Sequence, residues 1–210
     1  VLFLDEFPEF PRHVLEALRQ PMEDGSITIS RSSGRISFPC KFMLFAAQNP
    51  CPCGYLGDKD KECKCSTSQI LHYQKRVSGP MLDRIDIHLE VPAVKVEHLT
   101  SQSKIGNGES SSVIRKRVQK ARNIQTKRFR KRGITTNAEM SNKDIKVFCF
   151  LSQDSLSLLR LAVEKMKLSA RSYHRTLKLA RTIADLEDSL DIKSSHIAEA
   201  LQYRPRIESI

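Results

Sequence analysis

The run Val1-Leu2-Phe3-Leu4, followed at once by Asp5-Glu6, restricts this chain more than any other stretch. Four consecutive apolar residues without alternation predict a strand buried on both faces of a parallel sheet. The two acids then fall at the strand's C-terminal end, the edge at which open α/β sheets bind ligands. An Asp in that position can hold Mg²⁺ through its water shell, and a following Glu can orient and deprotonate an attacking water. As an isolated match, the pattern is better explained by a structural strand whose acids cap a helix, so its meaning depends on the other residues that could share its edge of the sheet.

After Pro11, Val14, Leu15 and Leu18 recur at helical spacing and predict a helix ending before Pro21. From Gly25 to Phe38 the pattern turns to alternation: Ile27 and Ile29 go out, Ile36 and Phe38 come back, and Ser32-Ser33-Gly34 lies between them. This is a β-hairpin whose tip carries Arg31 and Arg35. Phe42 to Ala47 reads as a second buried strand ending at Gln48-Asn49-Pro50, and Ile85 to Val91 as a third, stopped by Pro92. Residues 100–112 are rich in Ser, Gly and Asn and read as a linker. Five helices are then predicted: Ser112 to Lys131, Asn142 to Phe150, Asp154 to Lys167, Arg171 to Ser189 and Ser195 to Tyr203. In the fourth, Leu177, Ala180, Ile183 and Ala184 form one apolar face. The predicted organisation is an α/β core over 1–99, the linker, and an all-α domain over 113–210.

Three further elements could join Asp5 and Glu6. Asn49 ends the neighbouring predicted strand, where its amide could hydrogen-bond a γ-phosphate or the attacking water; an Asx-turn before Pro50 is the simpler alternative. The stretch SGPMLDRID, Ser78 to Asp86, carries Arg84 and resembles a motif that presents an arginine to a neighbour's phosphate; a local ion pair with Asp83 or Asp86 is the alternative. SARSYHRTLKLARTIADL, Ser169 to Leu186, resembles a lid helix that contacts nucleotide, with Arg171 at its start the first choice for that contact and Arg175 the second.

In this order and spacing, VLFLDEFPEF, EALRQPMEDG, AAQNPCPCG, SGPMLDRIDIHLEVP and the C-terminal helices resemble magnesium-chelatase-like AAA+ ATPases of the ComM/YifB type over nearly the whole chain. The resemblance implies an AAA+ P-loop core in which Asp5-Glu6 is the Walker-B pair. Asn49 is then sensor 1, Arg84 the arginine finger, and Arg171 the sensor-2 residue of an all-α lid. It also implies ATP and Mg²⁺ as cofactors, a hexameric ring, and a pre-sensor-1 hairpin that turns Arg31 and Arg35 toward DNA, single-stranded or branched. ComM-type members are associated with branch migration in natural transformation.

The departure from the pattern is that no G-x-x-x-x-G-K-[ST] occurs. The chain therefore reads as a fragment that opens in mid-domain at Val1, with an incomplete core and a gap in the sheet, and is expected not to hydrolyse ATP alone.

Six cysteines are present without a secretion signal, so a disulfide framework is disfavoured. Cys51-Pro-Cys53 and Cys63-Lys-Cys65 could bring four thiolates around a structural Zn²⁺, with His72 as a replacement ligand; free thiols and a disulfide formed on handling are the alternatives. Cys40 and Cys149 sit in apolar runs and read as core residues.

The net charge of +11 is concentrated: residues 113–132 contain ten Lys and Arg and no acid, which leaves about +1 elsewhere. Such a helix suggests an anionic partner, or a solvated face near an interface. No apolar run approaches the roughly 18 residues of a membrane span, and the reading is cytoplasmic without membrane contact. A chelatase-like metal-insertion subunit, or a non-catalytic DNA-binding and oligomerisation module, are the competing functions.

Overall fold

The computed structural model describes residues 1–32, 34–92 and 108–204, which form two compact units divided between Ile85 and Asp86. In the first unit, strand β1 (Leu2–Leu4) pairs in parallel with β4 (Leu44–Ala46), Leu2 opposite Leu44 and Leu4 opposite Ala46. Because side chains alternate along a strand, Leu4 and Leu44 turn inward onto a small core of Phe7, Leu15, Val77 and Met81. The expectation of a strand buried on both faces is not met: Phe3 is 62% exposed and its cross-strand neighbour Phe45 is 56% exposed. The sheet has only two strands among the described residues, and no described element covers that face.

Helices α1 (Arg12–Ala17) and α2 (Arg19–Asp24) replace the single helix expected to stop before Pro21. Pro21 sits in the first turn of α2, where a backbone N–H has no intrahelical acceptor, so the ring costs no hydrogen bond. Gly25, at φ 63°, caps α2 and turns the chain into the hairpin. Strands β2 (Ser26–Arg31) and β3 (Gly34–Pro39) pair from Ser26↔Pro39 to Arg31↔Gly34. Ile27, Ile29, Ile36 and Phe38 form one exposed face, and on the other Thr28 and Ser37 share a 2.8 Å hydrogen bond.

Two short helices follow, α3 (Thr67–Gln74) and α4 (Gly79–Leu82). The strand expected over Ile85–Val91 does not form. The described residues 86–92 contain no strand, and the His88 N–H bonds the Tyr203 carbonyl instead. A strand needs a neighbouring ladder to take up its backbone groups, and residues 86–92 pair with no strand among the described residues.

The second unit contains α5 (Ser111–Phe129), α6 (Asn142–Phe148), α7 (Gln153–Met166), α8 (Ala170–Leu186) and α9 (Ser194–Gln202). Serines at 141, 152 and 169 accept the backbone N–H three residues on and start three of these helices. The linker expected over 100–112 lies outside the described residues as far as 107. Leu177, Ala180, Ile183 and Ala184 are buried, as the periodicity required, against Phe129, Ile145, Leu159 and Ile197.

A polar network runs through this apolar core. Asp185, 1% exposed, accepts both Nη atoms of Arg128 at 2.5 and 2.6 Å, Arg181 Nε at 3.1 Å and Asn137 Nδ2 at 2.8 Å. Arg181 spends its Nη atoms on the Leu190 and Ser189 carbonyls, closing the end of α8. Among the described residues Asp185 is thus the single counter-charge for two guanidinium groups. Asp185→Ala is expected to lower unfolding free energy by about 3–5 kcal/mol, because two cations lose their buried partner. Lys120→Ala, which removes an exposed pair with Asp188, should cost under about 1 kcal/mol. Urea titrations of the two variants measure the contrast.

Candidate active site and metal centre

The β1–β4 ladder continues past both strands, with the Ala47 N–H on the Leu4 carbonyl and the Phe7 N–H on the Ala47 carbonyl, both at 2.9 Å. The C-terminal ends of the strands are thereby locked together, and Asp5 and Glu6 leave the same sheet edge as Gln48 and Asn49. Asp5, Glu6 and Asn49 are exposed. Glu6 lies in the left-handed region at φ 50° and ψ 45°, and its N–H bonds the Asp5 carboxylate at 2.9 Å. A non-glycine residue in that conformation costs roughly 1–3 kcal/mol and is held there by its surroundings. Here the Phe7 N–H bond and the burial of Phe7 and Pro8 impose the turn.

Asn49 is fixed from behind. Its backbone hydrogen-bonds the Tyr73 hydroxyl, and the next residue's carbonyl accepts Gln74 Nε2 at 3.4 Å. Burial, reinforced by the nearby Glu9 carboxylate, pushes the Tyr73 hydroxyl above its ordinary pKa. Glu9 itself pairs with Arg76, and these two residues with His72 and Tyr73 line a cleft of about 500 Å³. Neither Tyr73 nor Arg76 stood out in the sequence, since α3 carries no motif beyond its cap.

Arg84 is not extended into solvent. It is 8% exposed, its Nε and Nη2 donate to Glu23 on α2, and its Nη1 donates to the Pro80 carbonyl at 2.7 Å. The ion pair is therefore with a residue 61 positions away rather than with Asp83 or Asp86. The helix α4 that leads into Arg84 is tied down by Ser78, which accepts the Met81 N–H and donates to Glu16 at 2.6 Å. That hydroxyl, helped by Arg19, holds the Glu16 carboxyl below its ordinary pKa.

In the helical unit, Arg171 is exposed one residue into α8, whereas Arg175 pairs with Asp86. Arg181 is buried in the Asp185 network. On the hairpin, Arg31 and Arg35 are both exposed, with Arg35 Nε 3.2 Å from the Ser30 hydroxyl.

The cysteines converge. The sulfurs of Cys51, Cys53, Cys63 and Cys65 all lie within 4.8 Å of one another, with Cys51 to Cys53 at 3.4 Å and Cys63 at 3.6 Å from both. Zinc–sulfur bonds of about 2.3 Å in a tetrahedron put sulfurs about 3.8 Å apart, so the donor set fits that ion. His72 is not part of the cluster. Gly54 and Gly57, at φ 83° and 80°, supply the left-handed turns that bring the two C-x-C pairs together. The loop starts two residues after Asn49 and ends at Ser66, whose capping box with Gln69 begins α3.

The four thiols do not ionise alike. Backbone hydrogen bonds, first from Tyr55 and then from Lys64, lower Cys53 to about 6. At Cys63 a backbone bond from Cys65 is outweighed by burial and the neighbouring thiols, which push it up to about 12, and burial raises Cys65. Thiolates this close cannot all be charged unless a cation sits among them. Of the other two, Cys149 is buried, with its thiol pushed up to about 11 by desolvation. Cys40, expected in the core, is only half-buried, because it follows the exposed hairpin.

A parallel strand pair with paired acids and an amide at one edge, an intervening β-hairpin and a separate helical unit define part of an AAA+ core followed by its helical domain. Comparisons with known proteins narrow this class. The family model "magnesium chelatase, subunit ChlI" matches residues 1–99, and that for the ChlI C-terminal region matches 108–204. The chain is 46% identical over 208 residues to competence protein ComM of Haemophilus influenzae. It is 42% identical over 205 residues to YifB of Escherichia coli and 36% over 204 to Rv2897c of Mycobacterium tuberculosis, both named as uncharacterized. These alignments take in 97–99% of the chain but 39% of each relative's length. The chain belongs to the magnesium-chelatase-like family of the ComM/YifB type.

The thiol inequality is open to test. In metal-free, reduced protein, Cys53 should alkylate fastest of the four at pH 7, its rate rising through about pH 6 as the thiolate forms and then levelling. Cys63 should remain slow throughout. Mass mapping of iodoacetamide adducts against pH reads both, and equal rates at all four positions would contradict the asymmetry.

Proposed function

We propose that this chain supplies the water-activating and lid parts of an ATP-hydrolysing motor that works as a hexameric ring on DNA, single-stranded or branched. The observation that carries the reading is the parallel pairing of β1 with β4, with Asp5-Glu6 and Asn49 following the two strands at one edge. Bound MgATP brings the phosphoryl group and the charge to be neutralised, and the phosphate cradle comes from sequence outside residues 1–210. Asp5 holds the metal's water shell, Glu6 takes the proton from the attacking water, and Asn49 orients that water or the γ-phosphate. Arg84 exchanges Glu23 for a phosphate on a neighbouring copy, and Arg171, with Arg175 second, contacts nucleotide from the lid. The hairpin arginines Arg31 and Arg35 contact DNA phosphates, which gives affinity without sequence choice. One relative's name, competence protein, and the ten cations of residues 113–132 support DNA as the substrate.

The four cysteines hold a structural Zn²⁺, which lets all four sulfurs be charged and ties the segment after Asn49 to α3. The family description favours a second reading, an ATPase subunit of a metal-inserting chelatase. Salt-sensitive DNA binding is what that reading does not require.

In a polypeptide that carries the full length of the relatives, Mg²⁺-dependent ATP turnover should fall at least about 10²-fold in Glu6→Gln with nucleotide still bound. Arg84→Ala should lose roughly 10³-fold. Unchanged turnover in Glu6→Gln would sink the assignment of β1. Elemental analysis of reduced protein should give one zinc per chain with Cys51, Cys53, Cys63 and Cys65 protected from alkylation; no metal and reactive thiols at those four positions would remove zinc from the reading.

A further inference from the structure

The charge run does not behave as a structural helix would. In α5 the buried positions Ala121, Gln125 and Phe129 form one stripe, while every residue from Ser111 to Lys120 is exposed. The first turn contains no acid to complement the helix dipole, and Arg115, Lys116 and Arg117 follow it directly. Lys116 and Lys120, four apart on the same face, repel each other. A sequence serving only packing would place Glu or Asp at these positions.

Neighbouring carboxylates absorb part of the charge. Arg117 meets Glu109, Lys120 meets Asp188, Arg128 meets Asp185 and Arg132 meets Asp144. Arg115, Lys116, Arg122, Lys127, Arg130 and Lys131 have no carboxylate partner among the described residues. At about 100° per residue, Lys116, Lys127 and Arg130 fall on the face opposite the buried stripe, together with Gln119 and Asn123, which bond each other at 2.9 Å. That row is about 20 Å long, and one strand of B-DNA presents roughly six phosphates over this length.

We propose that the solvent face of α5, with Lys116, Lys127 and Arg130 along its centre, is a sequence-independent binding surface for a nucleic-acid phosphate backbone. It is a second contact in addition to the hairpin arginines, and it deepens the proposed nucleic-acid function, on which it rests. The row favours a polyphosphate over a folded acidic protein. Its charges repeat along a line, have no apolar anchor between them on that face, and alternate with amides that can also donate to phosphate oxygens, more weakly than the cations do.

The test is fluorescence anisotropy of the 210-residue chain with labelled oligo(dT) over a range of salt, for wild type and three variants. Lys116→Gln/Lys127→Gln/Arg130→Gln should weaken binding at least about tenfold and flatten the log K against log salt slope by about 2, three contacts at about 0.7 each. The charge-conserving Lys116→Arg/Lys127→Arg/Arg130→Lys should bind as wild type. Wild-type affinity and slope in the neutral triple, alongside loss in Arg31→Gln/Arg35→Gln, would overturn the α5 surface while leaving DNA binding intact. No salt-sensitive binding by the wild type would instead sink the nucleic-acid reading itself. Equal affinity for poly-glutamate would overturn the phosphate assignment. Acetylation footprinting of the unmutated chain gives an independent reading, with oligo(dT) expected to protect Lys116 and Lys127 and to leave Lys143 modified; unprotected Lys116 and Lys127 would count against the surface.

Discussion

The parallel ladder between β1 and β4 is the constraint from which the chemistry of this chain descends. Six residues pair, Leu2 to Leu4 against Leu44 to Ala46, and two more backbone bonds at Ala47 and Phe7 carry the registration past the strand ends. Parallel strands finish at the same edge, so two segments some forty residues apart deliver their polar residues to one place. The ladder also strains the exit. Phe7 must turn back to bond Ala47 and bury its ring, and Glu6 absorbs that demand in a left-handed conformation. Strain held by surrounding bonds is the usual signature of a residue kept for its position rather than for stability.

Arginine placement shows how the same side chain serves different ends. Arg128 and Arg181 share the buried Asp185 and hold the helical unit together. Arg175 takes Asp86, and Arg84 is gripped by Glu23 on one side and the Pro80 carbonyl on the other. Glu23 is 40% exposed while Arg84 is 8% exposed, so the guanidinium is the buried member of the pair. In α5, by contrast, the guanidinium and ammonium groups outnumber the carboxylates within reach, and their charge faces solvent.

The helical unit was legible in the sequence to within three residues at every helix end, because a polar cap and an apolar stripe are both local signals. The strands β1 and β4 and the existence of the hairpin followed from unbroken or alternating apolar runs. The four cysteines came together as their spacing suggested, since Gly54 and Gly57 allow the loop to double back. What the sequence hid was long-range. Glu23 as the partner of Arg84 lies across 61 residues, and α3 shows only the Ser66–Gln69 cap as a signal. The exposure of Phe3 was hidden for a similar reason. Apolar runs announce that a surface wants covering, and only the number of neighbouring strands decides whether it is covered.

Locating the metal directly tests the claim that Asp5, Glu6 and Asn49 form one hydrolytic edge. Anomalous scattering from Mn²⁺, soaked with a non-hydrolysable ATP analogue into crystals of the full-length polypeptide, should show the ion one water layer from the Asp5 carboxylate. The γ-phosphate should then lie between Glu6 and the Asn49 amide. A manganese peak and triphosphate density bound elsewhere, with the β1–β4 edge open to solvent, would contradict it.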